Sequence, residues 1–170
     1  MLTLIKSLLA RARAFADRLT FIGPALARLT LGLVFIGTGW GKLHSLEDVT
    51  QFFASLHIPA PGFNARLASV TEFVGGILLL VGLGTRLAAL PVATTMVVAI
   101  ATAKRAELGG LTDLVAFDEW TYLVMCLWLV VAGPGPLSLD ALVARFVTRR
   151  PEAAAHLPQP VFRAQPAAHD

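Results

Sequence analysis

The residues with the most chemical potential are charged groups set inside apolar runs. Glu72 is the sharpest, the lone charge in Val70-Thr-Glu-Phe-Val-Gly-Gly76. An ionisable side chain in a membrane-spanning run costs about 2.5–3.5 kcal/mol on insertion scales, so it calls for a partner or a purpose. At about 1.5 Å per residue, Glu72 falls roughly two turns, or about 9–10 Å, below the boundary of its run. The preceding apolar run brings Thr38, Trp40 and Lys42 to a similar depth, and the flexible stem of Lys42 lets its ammonium pair with Glu72. Such a pair can hydrogen-bond a polar ligand head and relay a proton. His44, Lys104, Arg105, Asp118 and Glu119 fall at the same ends of the runs, and with Lys42 and Glu72 they are expected to line one polar vestibule. Trp40, Phe52 and Phe53 are expected to form its apolar, aromatic entrance. The alternative is a set of charge pairs that fixes helix register and does no chemistry.

Arg28 lies in the other half of the first run. Its long side chain either reaches back to the headgroups or turns inward to Asp140 or to the carbonyls around Gly133-Pro-Gly-Pro136.

Other chemistries lack their residues. Cys126 is the single cysteine, which excludes an internal disulfide or a redox pair; in the run Tyr122-Leu-Val-Met-Cys-Leu-Trp128 it reads as a small hydrophobe. His44 and His57 are thirteen apart, with His156 and His169 near the end, and no metal spacing arises, so no metal site is expected. The glycines precede no Gly-Lys-Ser/Thr and form no phosphate loop. Gly37 and Gly41 have instead the small-xxx-small spacing that lets membrane helices approach, and Gly75 and Gly76 are read the same way.

The elements that must position these groups follow from composition. Of 170 residues, 56% are apolar and 15% charged, with a mean hydropathy of +0.70. A soluble domain carries about 25% charged residues, so this chain lacks the polar surface to coat a water-soluble globule. An all-α integral membrane protein is expected, with the lipid bilayer as its first partner. The net charge of +3 does not point to nucleic acid, because the basic residues flank apolar runs and form no single soluble face.

Four spans are expected, at about 21–40, 65–83, 87–103 and 118–132, giving a four-helix transmembrane domain over 21–146. Pro24 suits an opening turn, and Pro91 is expected near the first turn of the third span. Residues 1–20 read as a basic amphipathic helix on the membrane surface, and residues 147–170 as a disordered Pro/Ala-rich tail. Between the first two spans, Ser45-Leu-Glu-Asp48 matches a helix-capping sequence, and Ile58-Pro-Ala-Pro-Gly62 ends the short helix that follows. Ser138 is expected to cap another short helix through Phe146. One side of this topology carries Lys6, Arg11, Arg13, Arg18, Arg86, Arg145, Arg149, Arg150 and Arg163; the other carries Lys42, Arg66, Lys104 and Arg105. That excess places both termini in the cytoplasm.

Several segments taken together resemble the DoxX family. They are Arg28-Leu-Thr-Leu-Gly-Leu-Val-Phe-Ile-Gly37, Gly41-Lys-Leu43, Phe52-Phe53 and Ile58-Pro59, then Glu72-Phe-Val-Gly-Gly-Ile-Leu-Leu-Leu-Val-Gly-Leu-Gly-Thr-Arg-Leu87, and finally Gly133-Pro-Gly-Pro-Leu-Ser-Leu-Asp140. The likeness covers about residues 25–145. It implies a bacterial inner (cytoplasmic) membrane protein of four helices. Relatives serve thiosulfate:quinone oxidoreduction, methylamine dehydrogenase maturation and membrane-associated oxidative-stress complexes.

The resemblance therefore implies an accessory or subunit of a redox or oxidative-stress system, without turnover of its own, working with a redox-protein partner or as a homo-oligomer. A second expectation is a quinone-binding oxidoreductase subunit with quinone as its cofactor, Lys42 or His44 donating a hydrogen bond and Glu72 relaying protons. A third is a small-solute transporter or channel formed by an oligomer.

Overall fold

A computed structural model of the protein describes residues 19–148, together with Ile5, Lys6, Arg11 and Arg13. The surface arm expected over 1–20 and the tail expected over 147–170 thus lie largely outside the described residues. Among the described residues the chain is helical, with no strand. The elements are α1 (Ile22–His44), α2 (Leu46–Ser55), α3 (Pro61–Val81), α4 (Thr85–Thr102), a 3₁₀ turn at Arg105–Glu107, α5 (Leu111–Ala116), α6 (Asp118–Ala132) and α7 (Leu139–Thr148).

Three helices, α1, α3 and α4, are long and apolar enough to cross a membrane. The expected first span ends too early, because Gly41-Lys-Leu-His44 holds no breaker and α1 runs on, carrying Lys42 within the helix. The second begins earlier than expected, with Pro61 in the first turn of α3, where its missing N–H leaves nothing unpaired. Helix α4 starts at Thr85, so Pro91 falls inside it and not in its opening turn. The expected fourth span coincides with α6, but fifteen residues make about 22 Å of helix, short of the roughly 30 Å hydrocarbon core.

The helices alternate in direction. Gly32 lies against Leu80 and Gly39 against Phe73, so α1 and α3 are antiparallel. Phe35 meets Tyr122 edge-on at 5.6 Å and Gly23 lies against Trp128, which makes α6 antiparallel to α1. Helix α4 packs on α3 through Gly75 and Val92 and pairs extensively with α6. The buried residues include Leu31, Phe35, Leu79, Val92, Met96, Cys126 and Leu129, whereas Leu26, Leu33, Leu67, Val74, Leu87 and Val131 face outward. An apolar exterior of this extent suits lipid, not water.

The small-residue contact differs from the one expected. A Cβ at Gly37 or Gly41 would meet nothing within 4 Å. The close approach of α1 and α3 is made by Gly32, Gly39 and Gly76, where a Cβ would strike the backbone of Leu80, Phe73 and Ile36 respectively. Gly75 instead faces Val92 on α4. Ser45 also departs from expectation. Its hydroxyl donates back to Gly41 O (3.0 Å) and caps nothing in α2. Ser138 does cap α7, accepting from Ala141 N at 3.1 Å.

Arg28 locks one end of the bundle. It is 5% exposed and turns inward, away from headgroups. Nε donates to Leu79 O (3.1 Å), Nη1 to Pro134 O (2.7 Å) and Leu137 O (2.8 Å), and Nη2 to Leu80 O (3.3 Å). One guanidinium therefore ties α1 to the end of α3 and to the loop after α6. Asp140 does not pair with it directly. Its carboxylate accepts from Gly84 N (2.7 Å) and Thr85 N (3.1 Å), meeting the open N-terminus of α4. Gly82 closes the assembly with φ +73°, and a Cβ there would collide with Arg28 Cζ and Ser138 Cβ.

Two outcomes follow. Gly39→Ala is expected to destabilise the protein by about 1–3 kcal/mol through overpacking, while Gly37→Ala is neutral or stabilising by up to about 1 kcal/mol from helix propensity; thermal unfolding in detergent separates them. Arg28→Gln, which leaves buried carbonyls without a donor, is expected to lose about 3 kcal/mol or more in the same measurement.

Candidate functional site

The inward stripe of α3 runs Ala65, Ser69, Glu72, Gly76 and Leu79. Steps of four and three keep successive residues on one helix face, so the backbone that buries Leu79 also buries Glu72, which is 2% exposed. The matching stripe on α1 passes through Arg28, Leu31 and Phe35, and the same steps continue to Thr38 and Lys42. Thus the α1–α3 contact that buries the carboxylate also carries its partners. With α3 beginning at Pro61, Glu72 lies about 16 Å along the helix, close to its middle. This is deeper than the two turns expected.

Lys42 Nζ stands 2.5 Å from Glu72 Oε1. Thr38 Oγ1 donates to Oε2 at 3.0 Å. Both carboxylate oxygens are therefore met by donors on α1, which offsets much of the penalty for burying the charge. Thr38 sits four residues before Lys42, a spacing that shares a face, yet that spacing alone gave it no role. Nearby Ser69 is satisfied locally, donating to Ala65 O at 2.7 Å.

The site opens to one side. Glu72 is enclosed, but the Lys42 side chain is 34% exposed and Thr38 is exposed. An ammonium has three donors, and Glu72 takes one. The Phe35–Tyr122 ring contact lies about one helical turn along α1 from Thr38.

The remaining expected pocket residues do not gather here. Lys104 pairs with Glu107 (3.3 Å) within its own turn and stands 5.5 Å from the centre of the Phe117 ring. Arg105 and Asp118 are exposed and Glu119 is half-buried, and none of the three makes an ion pair among the described residues. In the register set by Phe35 and Tyr122, Glu119 is level with Thr38, but no ion pair or hydrogen bond joins it to Lys42 or Glu72 among the described residues. His44 is exposed, its Nδ1 2.9 Å from Trp40 O. Trp40 stacks on His44 (4.2 Å) and Phe73 (5.6 Å). Two residues along a helix is about 200° of rotation, so Trp40 faces away from Thr38 and does not frame its opening. Phe52 and Phe53 contact each other at 6.3 Å on α2, which packs mainly on α3.

The fold and site thus define a helical membrane protein in which a buried carboxylate is paired with a partly exposed ammonium. The DoxX family profile matches residues 23–105, from the start of α1 to the first residue of the 3₁₀ turn. CatD of Bacillus subtilis (strain 168), provisionally named an oxidoreductase, is 33% identical over 123 residues, covering 72% of this chain and 87% of CatD. The inner membrane protein YqjF of Escherichia coli (strain K12) is 31% identical over 128 residues, 74% of this chain and 95% of YqjF. YphA, an inner membrane protein of the same strain, is 32% identical over 122 residues, 68% of this chain and 86% of YphA. No solved structure matches. The chain belongs to the DoxX family.

Lys42→Ala leaves a carboxylate buried without its cation. It is expected to destabilise the protein by about 1–3 kcal/mol, below the value for a fully buried pair because the Lys42 side of the pair is partly exposed. The double variant Lys42→Met/Glu72→Gln, which removes both charges, is expected to recover most of that loss in thermal unfolding.

Proposed function

We propose that this protein is a membrane subunit of a redox system, and that the Lys42–Glu72–Thr38 site holds the polar head of a quinone. In this reading α6 completes a four-helix transmembrane domain in the bacterial inner membrane, with both termini in the cytoplasm. The excess of basic residues at the Arg28 end supports that orientation. The site then opens toward the outer half of the bilayer.

The observation that carries the reading is the asymmetry of the pair. Its carboxylate is sealed, while its ammonium is partly open and has donors to spare. A quinone carbonyl oxygen is an acceptor that such an ammonium can hydrogen-bond, and an apolar exterior suits the lipid-soluble remainder of the molecule. Reduction to the quinol takes up two electrons and two protons. Lys42 would hold a quinone oxygen by a hydrogen bond, with Glu72 keeping the ammonium in position; both protons of the reduction would come from the surrounding water. The electrons come from a partner redox protein, and the provisional oxidoreductase name of CatD agrees with such a setting.

Binding of a quinone analogue to the detergent-solubilised protein tests this. The wild type is expected to bind, and Lys42→Gln to weaken binding by about ten-fold, the value of one charge-assisted hydrogen bond. Glu72→Gln is expected to weaken it as well by releasing the ammonium. Equal binding by wild type and both variants, with all three folded, rules the reading out.

A further inference from the structure

The opposite end of the bundle carries a second, unrelated feature. Helix α7 is pinned there by its first turn: Asp140 N donates to Gly82 O at 2.9 Å, and the Asp140 carboxylate holds Gly84 N and Thr85 N. Leu139, Leu142, Val143 and Phe146 recur at i, i+3, i+4 and i+7 and are all exposed, Phe146 to 68%. Between α7 and the end of α3 lies a groove of about 340 Å³, walled by Val81, Pro136, Leu137, Leu139 and Leu142 with Arg145 at its rim. Arg145 is exposed and has no ion-pair partner among the described residues. The acid on its own helix, Asp140, is committed to backbone donors.

We propose that this groove holds one anionic phospholipid, its phosphate on Arg145 and an acyl chain along Val81 and Leu142. Position and charge select this occupant. Val81 is the last residue of a helix long enough to cross a membrane, so the groove sits where acyl chains give way to headgroups. A free anion would leave the five apolar walls bare. A second copy of the chain seated there would bring the same basic rim against an unpaired guanidinium. A lipid with a net negative headgroup satisfies both parts, and α7, fixed by Asp140, presents them together.

The test uses the full chain in mixed micelles of phosphatidylglycerol and phosphatidylcholine, with retained lipid counted by native mass spectrometry. The wild type is expected to retain phosphatidylglycerol about five-fold over phosphatidylcholine, the preference one surface arginine confers. Arg145→Gln removes that preference, Arg145→Lys keeps most of it, and Leu142→Gln lowers retention of both lipids. Excess inorganic phosphate leaves retention unchanged. The proposal is overturned if Arg145→Gln keeps the preference, if the wild type holds both lipids equally, if Leu142→Gln changes nothing, if phosphate displaces the lipid, or if the lipid-free protein is a dimer through this face. Arg145 is exposed, so its substitution leaves the fold intact, and equal melting temperatures verify this.

Discussion

A charge in the middle of an apolar bundle must be answered from within the protein, because lipid offers it nothing. Among the described residues Glu72 is answered by α1, through Lys42 and Thr38. That arrangement requires α1 and α3 to lie close enough for a hydroxyl to reach across, and the glycines at 32, 39 and 76 provide the approach. Packing and electrostatics are therefore one constraint here. A bulkier contact would separate the helices and strand the carboxylate.

The opposite end answers the same problem differently. Arg28 has no carboxylate within bonding distance among the described residues. It donates to four carbonyls, two at the end of α3 and two in the loop after α6. Asp140, nearby, performs the complementary task for the free N–H groups of α4. A guanidinium suits this role because its planar fork serves several acceptors at once. One end of the bundle is therefore closed by hydrogen bonds to backbone. The other holds an ion pair with a face left open.

That difference gives the bundle two unlike ends. Thr38 is exposed and Lys42 partly so, whereas around Arg28 the loop from Gly133 to Ser138 folds back and accepts two of its hydrogen bonds. The described residues thus combine an end closed by hydrogen bonds to backbone with a polar pair left partly exposed.

Much of this was legible in the residues. The membrane class follows from a composition that cannot cover itself with polar groups, and the bounds of α6 follow from Phe117 and Gly133 flanking an apolar run. The pairing of Lys42 with Glu72 follows from the penalty on a lone buried charge, which leaves few candidate partners. The vestibule of seven was not legible as it stands, because charge complementarity is satisfied by any near neighbour and Lys104 found Glu107 three residues away. The choice among glycines was equally undetermined: Gly37–Gly41 and Gly32–Gly39 are both plausible contact stripes, and only the rotation of α1 about its axis exposes the first and buries the second. Sequence spacing fixes which residues share a helix face. Which face turns inward, and how far a long side chain reaches once there, is decided by the summed packing of all neighbours, and that sum exists only in the folded bundle.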